Sequence, residues 1–149
     1  MTGADPNLAR EQRRSSALQQ LLGYRLVEWE ADRAVIAYDV AADHLNRTNR
    51  LHGGIVATLC DTAAGYAGVW CDAPGETRST VTLSLTVNFL ASVSGGRVFA
   101  EGRRRGGGQK IFFAEVEVHD ESARLIATAT GTFRYVSATP VGVASSPPR

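Results

Sequence analysis

The sequence predicts an α+β fold in which one buried helix is covered by a single antiparallel sheet. Three observations predict it. Residues 53–70 carry apolar side chains at steps of three and four, with almost no charge on any face, which is typical of a buried helix. Residues 81–89 alternate between apolar and polar side chains, which is typical of a strand. Three more strand-like segments follow through short connections, two of them rich in glycine.

Length and composition limit the class of protein. The 149 residues suffice for one domain, and a chain of this size can fold without disulfides or metal. The net charge of +1 gives no general attraction to nucleic acid or to anionic membranes. Cys60 and Cys71 form no C-x-x-C pair and no zinc spacing, so no metal site is expected. We expect a soluble, cytoplasmic protein without a signal peptide or a transmembrane segment.

The other elements are predicted in chain order. A short helix lies within residues 8–22, as part of an N-terminal segment at 1–22. Two strands, 24–30 and 33–40, form a hairpin, and a polar, turn-rich segment leads to the buried helix. The four later strands, 81–89, 97–104, 110–119 and 124–135, are predicted to form a meander because their connections are short. The domain thus covers residues 23–136, and residues 137–149 form a flexible tail.

Asp61 is the first candidate catalytic residue. It is the only acidic residue between Asp43 and Asp72, and it lies in the middle of the predicted buried helix. An ionised carboxylate is costly in such a place unless it is paired or hydrogen-bonded. Such carboxylates cluster at functional sites but also make structural contacts, so burial alone leaves both interpretations open.

The start of the same helix is the second candidate. His52 is followed by Gly53 and Gly54, and glycines at a helix N-terminus leave backbone N–H groups accessible to a ligand. The helix dipole favours negative charge there, which suits an oxyanion hole. The same glycines also suit a tight turn or close packing, and His52 could cap the helix or hydrogen-bond the loop.

These residues together resemble a known family. The motif N-x5-HGG-x4-L-x-D, from Asn46 to Asp61, is similar to that of the hotdog-fold acyl-CoA thioesterases of the phenylacetate-pathway (PaaI-like) type. The later strands resemble the family as well, so the resemblance covers about residues 20–136. Asn49 departs from the pattern, because such sequences usually have glycine there. Asparagine also tolerates a left-handed backbone conformation, so the turn is expected to survive.

The resemblance implies a hotdog fold, in which an antiparallel sheet wraps around one long central helix, and it implies hydrolysis of an acyl-CoA thioester. By matching position, Asp61 would be the general base or the nucleophile, and the Gly53 N–H would polarise the thioester carbonyl. Asn46 would position water or the thioester, His52 would support the loop, and Thr82 would assist near the acid. Coenzyme A is part of the substrate, so no separate cofactor is implied.

The carried-over role of Thr82 sets a condition on the strand that contains it. Strict alternation places Thr82 on the face opposite Val81 and Leu83. If those two residues cover the helix, Thr82 can reach Asp61 only through a bulge or an interface.

The spacing of Gly53 and Asp61 predicts a shared site. The two residues are eight positions apart, which is roughly 12 Å along a helix at 1.5 Å per residue. Both groups must lie about 3 Å from one reacting centre. If both act, Gly53 of one copy meets Asp61 of another in a two-fold homodimer. The family is known to place its sites at such an interface, and the resemblance further implies a dimer of dimers.

Arg103, Arg104, Arg105 and Lys110 are the candidate residues for binding the phosphates of coenzyme A, through charge-assisted contacts. A solvated hairpin end is the simpler explanation of the same run. Without an aromatic platform, the run is weak evidence for nucleic acid, so no such partner is expected.

Two other functions stay open. A hotdog dehydratase or hydratase usually brings a histidine and an acid together across the site, which His52 and Asp61 could imitate. A non-catalytic acyl-CoA-binding protein would usually carry a DNA-binding segment, and residues 1–22 show no helix-turn-helix pattern. Release of free thiol separates hydrolysis from both. The sequence leaves the acyl group open, because Tyr66, Trp70 and Phe89 could line an aryl or an alkyl pocket or belong to the core.

Overall fold

The computed structural model describes residues 5–73, 76 and 78–136. A helix of 17 residues, α3 (Gly53–Val69), lies against one sheet of six strands, which confirms the predicted α+β class. The strands are β1 (Arg25–Glu30), β2 (Arg33–Asp39), β3 (Ser79–Phe89), β4 (Arg97–Gly107), β5 (Ile111–Asp120) and β6 (Leu125–Val136). The segment predicted as a flexible tail, 137–149, lies outside the described residues.

The strand order is β1-β2-β4-β5-β6-β3, and every neighbouring pair is antiparallel. The prediction of a four-strand meander is therefore wrong for β3, which pairs with β6 at the edge of the sheet rather than with β4. The connection at 90–96 is not a hairpin turn. It crosses the start of α3, where the Leu51 N–H donates to the Val93 carbonyl at 2.8 Å.

The helix α3 is buried on most of its surface, as its sequence predicts. The adjacent strand β4 approaches it so closely that a Cβ atom on Gly102 would lie 2.3 Å from the Ala63 carbonyl oxygen. No helix within the described ranges is long and apolar enough to cross a membrane. The buried helical residues are Val56, Leu59, Cys60, Ala63, Ala64, Gly65, Ala67, Gly68 and Val69.

The N-terminal segment forms two short helices, α1 (Pro6–Gln12) and α2 (Ala17–Leu22), instead of the single helix predicted within residues 8–22. The break arises because the Ser16 hydroxyl accepts the backbone N–H of Gln19 at 3.1 Å and so begins a new helix. The first helix, α1, lies beside the last turns of α3, and this brings one of its acidic side chains to the candidate site.

Candidate active site

The Asp61 carboxylate is half-buried in the middle of α3 and is held by the first half of β3. The Thr82 hydroxyl donates to Oδ1 of Asp61 at 2.6 Å, so the two predicted residues are brought together. The neighbouring Cys60 thiol is not a competing nucleophile. Burial, with a smaller contribution from the charge of Asp61, raises the pKa of Cys60 to about 12. Asp61 is therefore the ionisable group that this part of the helix offers to a substrate.

A β-bulge at Leu83 lets both Thr82 and Leu85 face the helix. Thr82 pairs with Phe133 and Ser84 with Thr132, so Leu83 is an extra residue in β3. Before the bulge Thr82 faces α3, and after it Leu85 packs against the core. The condition set by the sequence is not met, because Val81 and Leu83 are exposed at 40% and 52% and do not cover the helix. The bulge instead places Leu85 on the same inner face as Thr82.

The carboxylate opens into a groove of about 330 Å³ between α3 and the first half of β3, which we call the Asp61 groove. Gly65, one turn along α3, contributes no side chain to it. Tyr66 and Glu11 of α1 line it further along, where the Tyr66 hydroxyl donates to Glu11 at 3.0 Å. Burial, together with the charge of Glu11, raises the pKa of Tyr66, so this hydroxyl keeps its proton. No local sequence pattern marks Glu11, because α1 is placed by tertiary contacts.

The N-terminus of α3 presents a free backbone donor. Nδ1 of His52 accepts the Gly54 N–H at 2.9 Å, so His52 caps the helix and supports the loop. The N–H of Gly53 has no acceptor among the described residues, as is usual for the first residue of a helix. A Cβ atom on Gly53 would lie 3.2 Å from the Phe89 ring, so that ring borders the donor.

The Asn46 side chain organises the loop before the helix. Its Oδ1 accepts the N–H groups of Thr48 at 2.9 Å and Arg50 at 3.1 Å, and also the Thr48 hydroxyl at 2.8 Å. Asn49 has φ of 58°, the left-handed conformation predicted for it. Because the oxygen is occupied, the group that Asn46 can offer a substrate is its Nδ2 amide.

The predicted site residues therefore form two half-sites. One contains Asp61 and Thr82, and the other contains Asn46, His52 and Gly53. Since α3 is a continuous helix, the eight positions between Gly53 and Asp61 keep them roughly 12 Å apart along the helix. A single copy of the chain does not bring the halves together.

The basic run is divided between two faces of β4. Arg103 forms an ion pair with Glu101, and Arg105 pairs with Glu115 at 2.7 Å on the same outer face. Arg104 faces the other way, lines a cavity at the C-terminal end of α3, and contacts Asp32 at 3.3 Å. Lys110 is exposed. The four basic residues do not form one cluster.

The three aromatic residues considered for the acyl pocket are also divided. Tyr66 lines the Asp61 groove, Phe89 lies against Gly53, and Trp70 lines the cavity that contains Arg104. In one copy, they do not form a common pocket.

Comparison with known proteins defines the class. The sequence pattern of the thioesterase superfamily matches residues 48–127. PA0474, a candidate esterase of Pseudomonas aeruginosa, is 35% identical over 121 residues, which are 80% of this chain and 89% of that protein. The medium/long-chain acyl-CoA thioesterase YigI of Salmonella typhimurium is 33% identical over 94 residues, 56% of this chain and 61% of YigI.

Solved structures agree with this assignment. The PaaI protein of E. coli, from the phenylacetic acid degradation operon, superimposes with a TM-score of 0.77 at 25% identity, covering 89% of this chain and 94% of PaaI. The chain belongs to the thioesterase superfamily. It has the hotdog fold and is a thioester hydrolase of the PaaI-like type.

Proposed function

We propose that the protein hydrolyses an acyl- or aryl-acyl-coenzyme A thioester to the free acid and coenzyme A, in a site shared by two copies of the chain. The observation that carries this proposal is the half-buried Asp61 carboxylate, oriented by Thr82 and open to a groove. Its position in a thioesterase-superfamily fold, with YigI named as an acyl-CoA thioesterase, supports this substrate class.

The chemistry follows from which atoms are free. Thr82 donates to Oδ1 of Asp61, and Oδ2 has no hydrogen-bond partner within the described ranges. Oδ2 can take a proton from water while the water oxygen attacks the thioester carbon, or it can attack that carbon itself. In the first case the C–S bond breaks, the free acid forms directly, and the proton held by Asp61 passes to the departing thiolate of coenzyme A. In the second case the C–S bond breaks as Oδ2 forms a mixed anhydride; water then hydrolyses the anhydride to the free acid, restores the Asp61 carboxylate and supplies the proton for the thiolate. The Gly53 N–H of the second copy stabilises the charge that develops on the carbonyl oxygen.

The edge strand β3 supports the shared site. It pairs on one side with β6, and its other edge faces no strand among the described residues. Large apolar side chains on and just after it are exposed, including Leu83 at 52% and Phe89 at 58%. An exposed apolar edge favours pairing with another chain. A two-fold homodimer through β3 would cover these side chains and bring the half-sites of two copies together.

The role of His52 argues against a dehydratase. Its Nδ1 accepts the Gly54 N–H in the helix cap, so this nitrogen is not available to exchange a proton with a substrate.

The test is the release of free thiol from acyl-CoA by wild type and by Asp61→Asn. The variant is nearly isosteric, so we expect an unchanged melting temperature and a loss in kcat of about 10²–10⁴-fold. Asp72→Asn, an exposed acid beyond the helix, is the matched control and should keep full activity. Near-normal kcat in Asp61→Asn would remove this residue from the mechanism. No thiol release from any acyl-CoA by wild type would overturn the proposed function.

A further inference from the structure

A cavity of about 540 Å³ at the C-terminal end of α3 has no role in the chemistry described above. It lies where the β1–β2 and β4–β5 turns meet the ends of α3 and β6. Two arginines from different strand regions line it, Arg78 and Arg104, together with Trp70 and Tyr135. We call it the Arg78–Arg104 cavity.

The lining of this cavity offers hydrogen-bond donors that the protein does not use. Nε1 of Trp70 and Nε of Arg104 are both buried and have no hydrogen-bond partner in the described part of the chain. An unsatisfied buried donor is costly, and most such groups in proteins have a partner. A ligand with several acceptor oxygens would supply partners.

The charges of the cavity favour an anion. The Arg78 guanidinium lies 5.7 Å from the centre of the Tyr135 ring and forms no ion pair with a described residue. Arg104 contacts one carboxylate, Asp32, at 3.3 Å. Asp32 is the only acidic residue among the described residues that line the cavity. Two guanidinium groups against one carboxylate leave a net positive charge, and guanidinium groups match the geometry of phosphate.

The cavity borders the Asp61 groove, because Arg78 lines both. The nine positions from Asp61 to Trp70 correspond to roughly 14 Å along the helix. The pantetheine arm of coenzyme A has about the length of four extended residues, again roughly 14 Å. The Asp61 groove is also lined by Glu11 and Thr80, whose polar groups can hydrogen-bond the amides of the pantetheine arm.

We propose that the Arg78–Arg104 cavity binds the phosphates of coenzyme A while the pantetheine arm lies in the Asp61 groove. This inference rests on the proposed function, and it assigns phosphate binding to Arg78 and Arg104 only. Arg103 and Arg105 pair with acids on the outer face and take no part.

The experiment compares an acyl-CoA with the pantetheine thioester of the same acyl group, which lacks the phosphates and the nucleotide. Arg78→Gln and Arg104→Gln should each raise KM for the acyl-CoA by about ten- to a hundredfold with kcat unchanged. Arg104 does not line the Asp61 groove, so Arg104→Gln should leave KM for the pantetheine thioester unchanged. Arg103→Gln and Arg105→Gln flank Arg104 and remove the same charge from the other face, so they are the matched controls. Asp32→Asn should lower KM for the acyl-CoA a few-fold, because it removes a repelling charge.

A second readout does not depend on catalysis. Calorimetry should show that adenosine 3′,5′-bisphosphate binds to wild type and to Arg103→Gln. Its affinity for Arg104→Gln should be at least tenfold lower. If every thioester is inert, the proposed function fails and this binding measurement still decides whether the cavity takes the nucleotide. If hydrolysis occurs but the controls shift KM as much as Arg78→Gln and Arg104→Gln, or Arg104→Gln affects the pantetheine thioester equally, the cavity does not bind the phosphates. Absence of nucleotide binding to wild type would also overturn the inference.

Discussion

The Gly53 N–H can be removed without breaking a hydrogen bond of the fold. Gly53 is the first residue of α3, a position where proline is favoured because its missing N–H would have no helical partner. The preceding residue, His52, has φ of −62° and ψ of 132°, which is the conformation that proline requires before it. Gly53→Pro is therefore a backbone variant that removes the proposed oxyanion donor and keeps the helix.

We expect Gly53→Pro to lower kcat by about 10²–10³-fold, the usual cost of losing one oxyanion donor. Gly53→Ala is the control, because it keeps the N–H and places a Cβ atom at the same 3.2 Å from the Phe89 ring. Steady-state kinetics and circular dichroism of both variants check the prediction. Equal activity losses in the two variants would mean that contact with Phe89, and not the N–H, is responsible.

Single residues show what sequence could and could not predict at this site. Asn49 adopts the left-handed conformation expected from its residue type, and Thr82 contacts Asp61 as its matching position implied. Glu11 and Arg78 were not predicted to line the Asp61 groove. Each comes from a segment whose position depends on tertiary contacts, and no local pattern marks a residue of that kind.

At the scale of elements, local periodicity predicted every strand but not the order of the strands. The edge position of β3 depends on how the sheet closes around α3, which is a property of contacts distant in sequence. Short connections usually join strands that pair with each other, and the segment 90–96 is as short as such a connection. Its length therefore led to the wrong prediction that β3 pairs with β4. The break between α1 and α2 was missed for a different reason. A serine occurs both as a helix cap and inside helices, so Ser16 alone does not show that a new helix begins there.

The close contact of β4 with α3 gives a stability prediction. Gly102→Ala would place Cβ 2.3 Å from the backbone oxygen of Ala63, which no rotamer change can relieve. We expect a loss in the free energy of unfolding at the upper end of the about 1–3 kcal/mol typical of overpacking. Gly106→Ala, on the same strand with no atom within 4 Å of its Cβ, should cost far less. Urea unfolding of both variants measures the difference, and equal losses would contradict the close contact.

At the scale of the whole molecule, each copy carries two separate groups of candidate site residues, and β3 lies at one edge of the sheet. The same helix holds both half-sites, so its length fixes their separation, and a second copy related by a two-fold axis would supply what each lacks. Sequence spacing predicted the separation of Gly53 and Asp61 because the rise of a helix is constant. It could not predict that β3 would lie at the edge, since that depends on the strand order.

Catalysis by such a dimer should survive when two defective chains are mixed, provided that their defects lie in different half-sites. In a heterodimer of Asp61→Asn and Gly53→Pro, one interface site contains both defects and the other contains neither. With equal, random exchange half of the dimers are hybrid and half of their sites are intact, which gives about a quarter of wild-type activity. Mass spectrometry verifies the exchange, and thiol release measures the rescue.

The control mixture combines Asp61→Asn with Thr82→Val, whose defects lie in the same half-site because the Thr82 hydroxyl contacts the Asp61 of its own chain. Every site in that heterodimer keeps one defect, so mixing should give no more than the average activity of the two parents. Rescue confined to the first mixture requires Gly53 and Asp61 to act from different chains. If exchange is complete and neither mixture gains activity, the donor that faces Asp61 must belong to the same copy, and the geometry of α3 then excludes Gly53.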